Sequence, residues 1–315
     1  MDFSENWILM ALLTPTFWAM GCVLDSCLVG SRVYRSVWDG AIVSCLFCLA
    51  PALFSLMSLY LPPTSISNEF NPSSVPKTAI AAGLAYAVHL FFYFRTLYCL
   101  NDVSGAETFI ALSVLFVPLF AWWLLGERLP AHFYLAFILA TVGVLLQCMP
   151  IVRGAGMPLL INMLITMIAV SLSMVWQSSA LQTHGFSSAT LFFNVASFSV
   201  ALMFLVFNRK LRLRILMLFR RVPAVLIAGE VLGVLAIMSS HRATQKGPSV
   251  SIVALIECLL PLVIMALSAA LISINQRWPL LSVQHESTLA LQIKGMPMKV
   301  SAMAFLVVSL SILAI

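Results

Sequence analysis

The sequence predicts an all-α polytopic membrane protein of about ten transmembrane helices, and three observations carry that prediction. Of its 315 residues 62% are hydrophobic and 9% charged, a balance that a domain of this length could not hide from water. The apolar residues form blocks of roughly 17 to 25, the length a helix rising about 1.5 Å per residue needs to cross ~30 Å of hydrocarbon. Because lipid offers no partner for a free N–H or C=O, blocks of this length must bond internally as helices.

In chain order the expected spans are Trp7 to Val29, Val37 to Leu59, Thr78 to Tyr98, Ala106 to Leu125 and Ala131 to Met149. Pro158 to Leu181, Ser188 to Phe207, Val222 to Ser240, Val250 to Ile272 and Val300 to Ile315 follow, the last being short for a full crossing. Most connections are short, as antiparallel neighbours require. Two are longer: Pro62 to Lys77, and Ser273 to Lys299, where Arg277, Pro279, His285, Glu286, Lys294 and Pro297 interrupt the approach to the last span.

The N-terminus carries Asp2 and Glu5 and no basic residue before Arg32, unlike a secretory signal peptide, so the first block is expected to remain in the protein. The seven cysteines lie within or at the ends of apolar blocks and read as small buried hydrophobes. Even Cys45 and Cys48 have no His or second pair nearby, so no metal site is expected. The net charge of +6 comes from residues flanking apolar blocks, which argues for membrane orientation and against nucleic acid. No nucleophile motif, zinc helix or phosphate loop is present, so neither an enzyme nor a cofactor is expected.

The halves resemble each other. Shifting Ala111-Leu112 and Pro118-Leu119 by 143 positions (261 − 118) lands on Ala254-Leu255 and Pro261-Leu262, and Trp18 and Trp176 hold comparable places in the first and sixth spans. The expected organisation is therefore a first five-helix repeat over 1-150 and a divergent second over 151-315 with an insertion at 273-299. An odd number of spans per repeat turns the second upside down relative to the first, a transporter signature.

Phe116-Val-Pro-Leu-Phe-Ala-Trp-Trp-Leu-Leu-Gly-Glu-Arg-Leu129, followed by a span ending Thr141-Val-Gly-Val-Leu-Leu146, resembles the drug/metabolite transporter superfamily, EamA-type branch. The likeness rests on a mid-span proline, a Gly-Glu-Arg-Leu turn and a closing helix with a late glycine. Phe17-Trp-Ala-Met20 is similar too, and Leu259-Leu-Pro-Leu-Val263 echoes the proline segment, but the second half lacks the Gly-Glu turn. Pro118 removes a backbone donor and would leave carbonyl capacity near a cavity. Gly126 allows a tight reversal, Glu127 is either a turn charge or part of gating or folding, and Pro261 is the second-half counterpart of Pro118.

Charged groups at mid-bilayer cost roughly 2.5 to 3.5 kcal/mol and so need a partner or a purpose. Glu230 and Glu257 approach the midplane on adjacent helices, and two close carboxylates would favour a shared proton or a bound cation. His89, Gln177 and Asn194 could hydrogen-bond a solute, and Trp18 and Trp176, with Tyr86 and Tyr93, could stack on one, although packing is the commoner role of such residues. Gly229 and Gly233 form a small-residue pair for close helix packing, while Asp25, Arg95 and Arg242 lie nearer span ends and are expected to snorkel to headgroups.

Assigning Lys and Arg to alternating sides puts 4 of the 17 on the side of the N-terminus and the rest opposite, densest in the loop Asn208 to Arg221. That basic side is expected to be cytoplasmic, although relatives within the resembled superfamily usually have cytoplasmic termini. The expected function is a secondary transporter in the plasma or inner membrane, exporting a small metabolite or amino-acid-like solute by alternating access. Its partners would be membrane lipid, the small-molecule solute, a coupling proton or cation and, as an option, a second copy as homodimer. A flippase for a lipid-linked substrate and a non-transporting membrane scaffold are the alternatives.

Overall fold

A computed structural model describes residues 6–58, 75–100, 102–154 and 156–277, together with 289–290, 304–305 and 308–309. In order the helices are α1 (Trp7–Gly30), α2 (Val37–Phe47), α3 (Leu49–Ser58), α4 (Lys77–Leu100), α5 (Val103–Ala111), α6 (Ser113–Leu125) and α7 (Ala131–Gly154). They continue with α8 (Met157–His184), α9 (Phe186–Phe207), α10 (Arg209–Arg221), α11 (Pro223–Lys246), α12 (Val250–Glu257) and α13 (Leu260–Arg277). Three pairs, α2 with α3, α5 with α6 and α12 with α13, run on as single broken spans. Among the described residues this gives nine helices long and apolar enough to cross a membrane, 19 to 28 residues each. The expected tenth span, Val300 to Ile315, and most of the 273–299 connection lie outside the described residues. The ninth span itself runs on through Arg277, past the expected end at Ile272, and Asn275 is still buried.

The outer surface is apolar: Leu115, Leu119, Ile138, Leu202 and Val231 are exposed where only hydrocarbon could cover them. Inside, small and hydroxyl residues let helices close on one another. A Cβ on Gly83 would collide with the Phe193 carbonyl, so α4 and α9 touch backbone to backbone there. Ser197 Oγ donates to the Gly83 carbonyl and Ser173 Oγ to that of Ala82, each at 2.9 Å, fastening α4 to both α9 and α8. On the other flank Gly21, Gly229 and Gly233 line the crossing of α1 and α11, the close packing expected of the second-half pair.

The packing interchanges the two halves. The first span lies along the eighth (α1 on α11) and the sixth along the third (α8 on α4), and the broken fourth and ninth spans cross each other at the centre. Asp102 caps α5 and Ser249 caps α12, 147 positions apart (249 − 102). The breaks keep this spacing. Leu112 N–H bonds to Phe109 O and Leu115 N–H to Leu112 O, and Leu259 and Leu262 repeat the pattern with Ile256 and Leu259. Structural register therefore departs from the 143-residue shift of the proline motif. The fourth span breaks at Leu112 and runs straight through Pro118, whereas Pro261 is the second residue of α13 and restarts its span.

The segment expected as a basic loop, Asn208 to Arg221, is the amphipathic helix α10. Leu211, Ile215 and Leu218 recur at helical spacing and are buried, while Asn208 Oδ1 caps the first turn by accepting Leu211 N–H at 3.0 Å. Arg214 Nε lies 2.9 Å from Asp39 Oδ1. Asp39 is fully buried and also accepts the N–H groups of Arg35 and Ser36 at 2.8 and 3.0 Å, so one carboxylate caps α2 and anchors α10.

Candidate functional site

Broken helices leave backbone and side chains that cannot pack flush, and space remains where the fourth and ninth spans cross. A cavity of about 110 Å³ is walled by Pro15, Trp18, Cys22 and Asp25 of α1, Tyr86, His89 and Tyr93 of α4, Glu107 of α5, and Glu257 with Cys258 at the ninth-span break. Two recesses share Trp18 and Tyr86 with it. One, of about 30 Å³, holds Asp25, Ser44 and Glu230; the other, of about 80 Å³, holds Gln177, Ser240, His241 and Glu257.

Four acidic side chains thus surround a connected set of openings, and none of the three is lined by a described Lys or Arg. Three of the acids have neutral donors. The Cys22 thiol donates to Glu107 Oε1 at 3.2 Å, Ser44 Oγ to Glu230 Oε1 at 2.9 Å and Ser240 Oγ to Glu257 Oε1 at 2.7 Å. Asp25 accepts no hydrogen bond from a described residue and stands within electrostatic reach of Glu230 first and Glu107 second. One hydroxyl or thiol does not offset the several kcal/mol it takes to strip water from an ionised carboxylate, so the cluster calls for protons or a cation.

Glu230 and Glu257 both reach this central space, but in different recesses, and the acid beside Glu230 is Asp25. Asp25 therefore does not snorkel as expected: α1 is held along α11, which turns the side chain inward at a depth where its own sequence position suggested headgroups. Trp18 borders all three openings. His89 is buried between Tyr86 and Tyr93, with ring centroids 5.9 and 6.1 Å away. Gln177 Nε2 lies 3.4 Å from Nδ1 of His241, which also meets Thr190 Oγ1 at 3.1 Å. Asn194 donates to the Thr190 carbonyl at 2.7 Å and lines none of the three openings; nor does Trp176, which packs against the apolar core.

The proline-turn motif lies elsewhere. Pro118 borders a separate groove of about 460 Å³ between α6 and α7, with Trp122, Tyr134 and Ile138 around it. Gly126 takes the left-handed conformation (φ 68°) that ends α6, with Gly126 and Glu127 N–H groups returning to Trp122 O and Ala121 O. Glu127 then accepts hydrogen bonds from Ser249 and, at 2.6 Å, from Ser251. It fastens the turn after the fourth span to the start of the ninth, which is a structural role.

Two site residues escaped the sequence reading. Glu107 sits only a few residues inside its span and Asp25 near the end of its own, and both are intramembrane acids by the rule that selected Glu230 and Glu257. Among the described residues no three His, Cys, Asp or Glu side chains converge closely enough to hold a metal ion.

No protein-family model matches the chain, and no curated protein sequence is similar to it at a significant level. A solved structure, described only as the crystal structure of a protein, aligns over 95% of this chain and 96% of its own with a TM-score of 0.55 and 16% identity. At that identity the likeness concerns the fold. The chain is thus a multi-span helical membrane protein of a fold already seen in a crystal.

Proposed function

We propose that the chain is a secondary transporter of the plasma or inner membrane, an exporter carrying a small metabolite or amino-acid-like solute by alternating access. The acid-lined, aromatic-walled cavity at the crossing of two broken spans carries this reading. A carrier needs a polar site at mid-depth that is formed by discontinuous helices, and a carboxylate cluster with no described Lys or Arg beside it gives a coupling proton somewhere to bind. The interchange of packing between 1–150 and 151–315, with caps and breaks recurring at one spacing, supports two inverted repeats. The Phe116 to Leu129 likeness to EamA-type transporters points the same way. The basic α10 would then face the cytoplasm.

Reconstituted chain should take up or release labelled metabolites down an imposed pH gradient, and Glu230→Gln together with Glu257→Gln should abolish that drive. A chain that folds, inserts and moves none of a broad metabolite panel would be a scaffold instead. The groove between α6 and α7 favours a second reading, a carrier for a lipid-linked substrate, because it opens sideways onto the apolar surface. A fluorescent-lipid translocation assay separates the two.

A further inference from the structure

We infer that the central cavity binds a small organic ammonium ion, the positive charge set among Asp25, Glu107 and Glu257, with Glu230 in the adjoining recess, and its methylene or methyl groups against Trp18 and Tyr86. The inference rests on the transport reading and narrows its substrate class.

The charge balance excludes an anionic solute and disfavours a zwitterion. A carboxylate on the ligand would enter an opening with three acidic groups around it, a fourth in the adjoining recess, and no described Lys or Arg to receive it. A compact metal ion is a poor fit as well. Metals need three or more hard donors converging within about 2 to 2.6 Å, whereas these acids are spread over three adjoining openings and no such group forms among the described residues. A dispersed negative wall with aromatic faces matches a diffuse cation, which is held by field and by ring quadrupoles instead of short coordination bonds.

Two further polar groups face the cavity. His89 and the Tyr93 hydroxyl both line the cavity, at 8% and 4% exposure. His89 Nδ1 has no hydrogen-bond partner among the described residues, and the Tyr93 hydroxyl stands within reach of Cys22 and Glu107 with an acceptor lone pair to spare. Buried polar atoms seldom stay unmade. Each can accept from an ammonium N–H, His89 when its proton sits on Nε2. Asp25, which accepts no hydrogen bond from a described residue, lies between the cavity and the Glu230 recess, where one charge is felt by both.

The experiment is counterflow of labelled tetramethylammonium and methylammonium into proteoliposomes preloaded with the same unlabelled ion, with alanine as the zwitterionic comparator. Counterflow needs no coupling ion, so it isolates recognition. At least one ammonium ion should exchange saturably, with a rate lowered about tenfold by Asp25→Asn or Trp18→Leu and unchanged by lipid-facing Trp123→Leu. Should Asp25→Asn not yield monodisperse protein, saturable quenching of tryptophan fluorescence by tetramethylammonium in the unaltered chain, absent with Trp18→Tyr, gives the same answer. Alanine exchange without exchange of either ammonium ion overturns the inference and leaves the transporter standing. No exchange of any of the three, with no proton flux after a pH jump, removes the transport reading and the inference together.

Discussion

The thiol of Cys258 lies 3.3 Å from the carbonyl of Ala111 and 3.2 Å from that of Ala254, so its one proton is shared between its own helix and the break in the fourth span. The Ala111 carbonyl ends α5, one residue before Leu112 turns the chain into α6, and a free acceptor there would otherwise face the cavity. The two discontinuities are therefore in contact through this thiol, and whatever moves one span bears on the other.

Cys258 is accordingly a reporter of the cavity. In a background where the other six cysteines are replaced, a cationic methanethiosulfonate should label Cys258 about tenfold faster than an anionic one of similar size, because acids line the wall and no described Lys or Arg does. Equal rates would show that the acids are neutral or that the reagent enters by another route.

The Glu127 clamp concerns stability. Removing the carboxylate leaves the Ser249 and Ser251 hydroxyls without their acceptor at the start of α12. Glu127→Ala is expected to cost about 2 to 4 kcal/mol, and Glu127→Gln roughly half of that, read as the midpoint of thermal unfolding in detergent. A wild-type midpoint for Glu127→Ala would reduce the turn to decoration.

Asp39 and Arg214 make α10 a docked element. Asp39→Asn keeps the volume but removes the charge that meets Arg214 and the two backbone N–H groups, a loss of about 1 to 3 kcal/mol. Since α10 carries Arg209, Lys210, Arg212, Arg220 and Arg221, limited trypsin digestion should cut the variant there several-fold faster than the parent. Equal cleavage would mean that Leu211, Ile215 and Leu218 hold the helix unaided.

Gly83 tests the closeness of α4 and α9. Its missing Cβ is what lets the Phe193 carbonyl approach, so Gly83→Ala forces the helices apart and should lower stability by about 1 to 3 kcal/mol. The control is Gly154→Ala, where no heavy atom lies within reach of an added Cβ and little change is expected.

Block length and composition determined, without any structure, that the chain is helical and crosses a membrane, and they set nine of the expected spans close to where the helices lie. That works because lipid imposes one rule on every crossing segment: satisfy the backbone internally and show hydrocarbon to the outside. The same rule brought out Glu230 and Glu257, since an acid inside an apolar block stands out whatever surrounds it. It should have brought out Glu107 and Asp25 as well, but distance along a span does not tell which way a side chain faces.

Direction and partnership were left to the tertiary structure. Asp25 belongs to the cavity because α1 lies along α11, and the cavity exists because the fourth and ninth spans break at Leu112 and Leu259; Pro261 announces the second break, but no proline or glycine marks the first. Pro118, the conspicuous residue, sits inside an unbroken helix. The basic run after Asn208 is docked as a helix by its buried Leu211, Ile215 and Leu218 and by Asp39, far back in the sequence, which supplies a buried charge for Arg214. A helix reports its own hydrophobicity residue by residue, whereas a site between helices depends on their rotation and crossing, which many weak contacts set together.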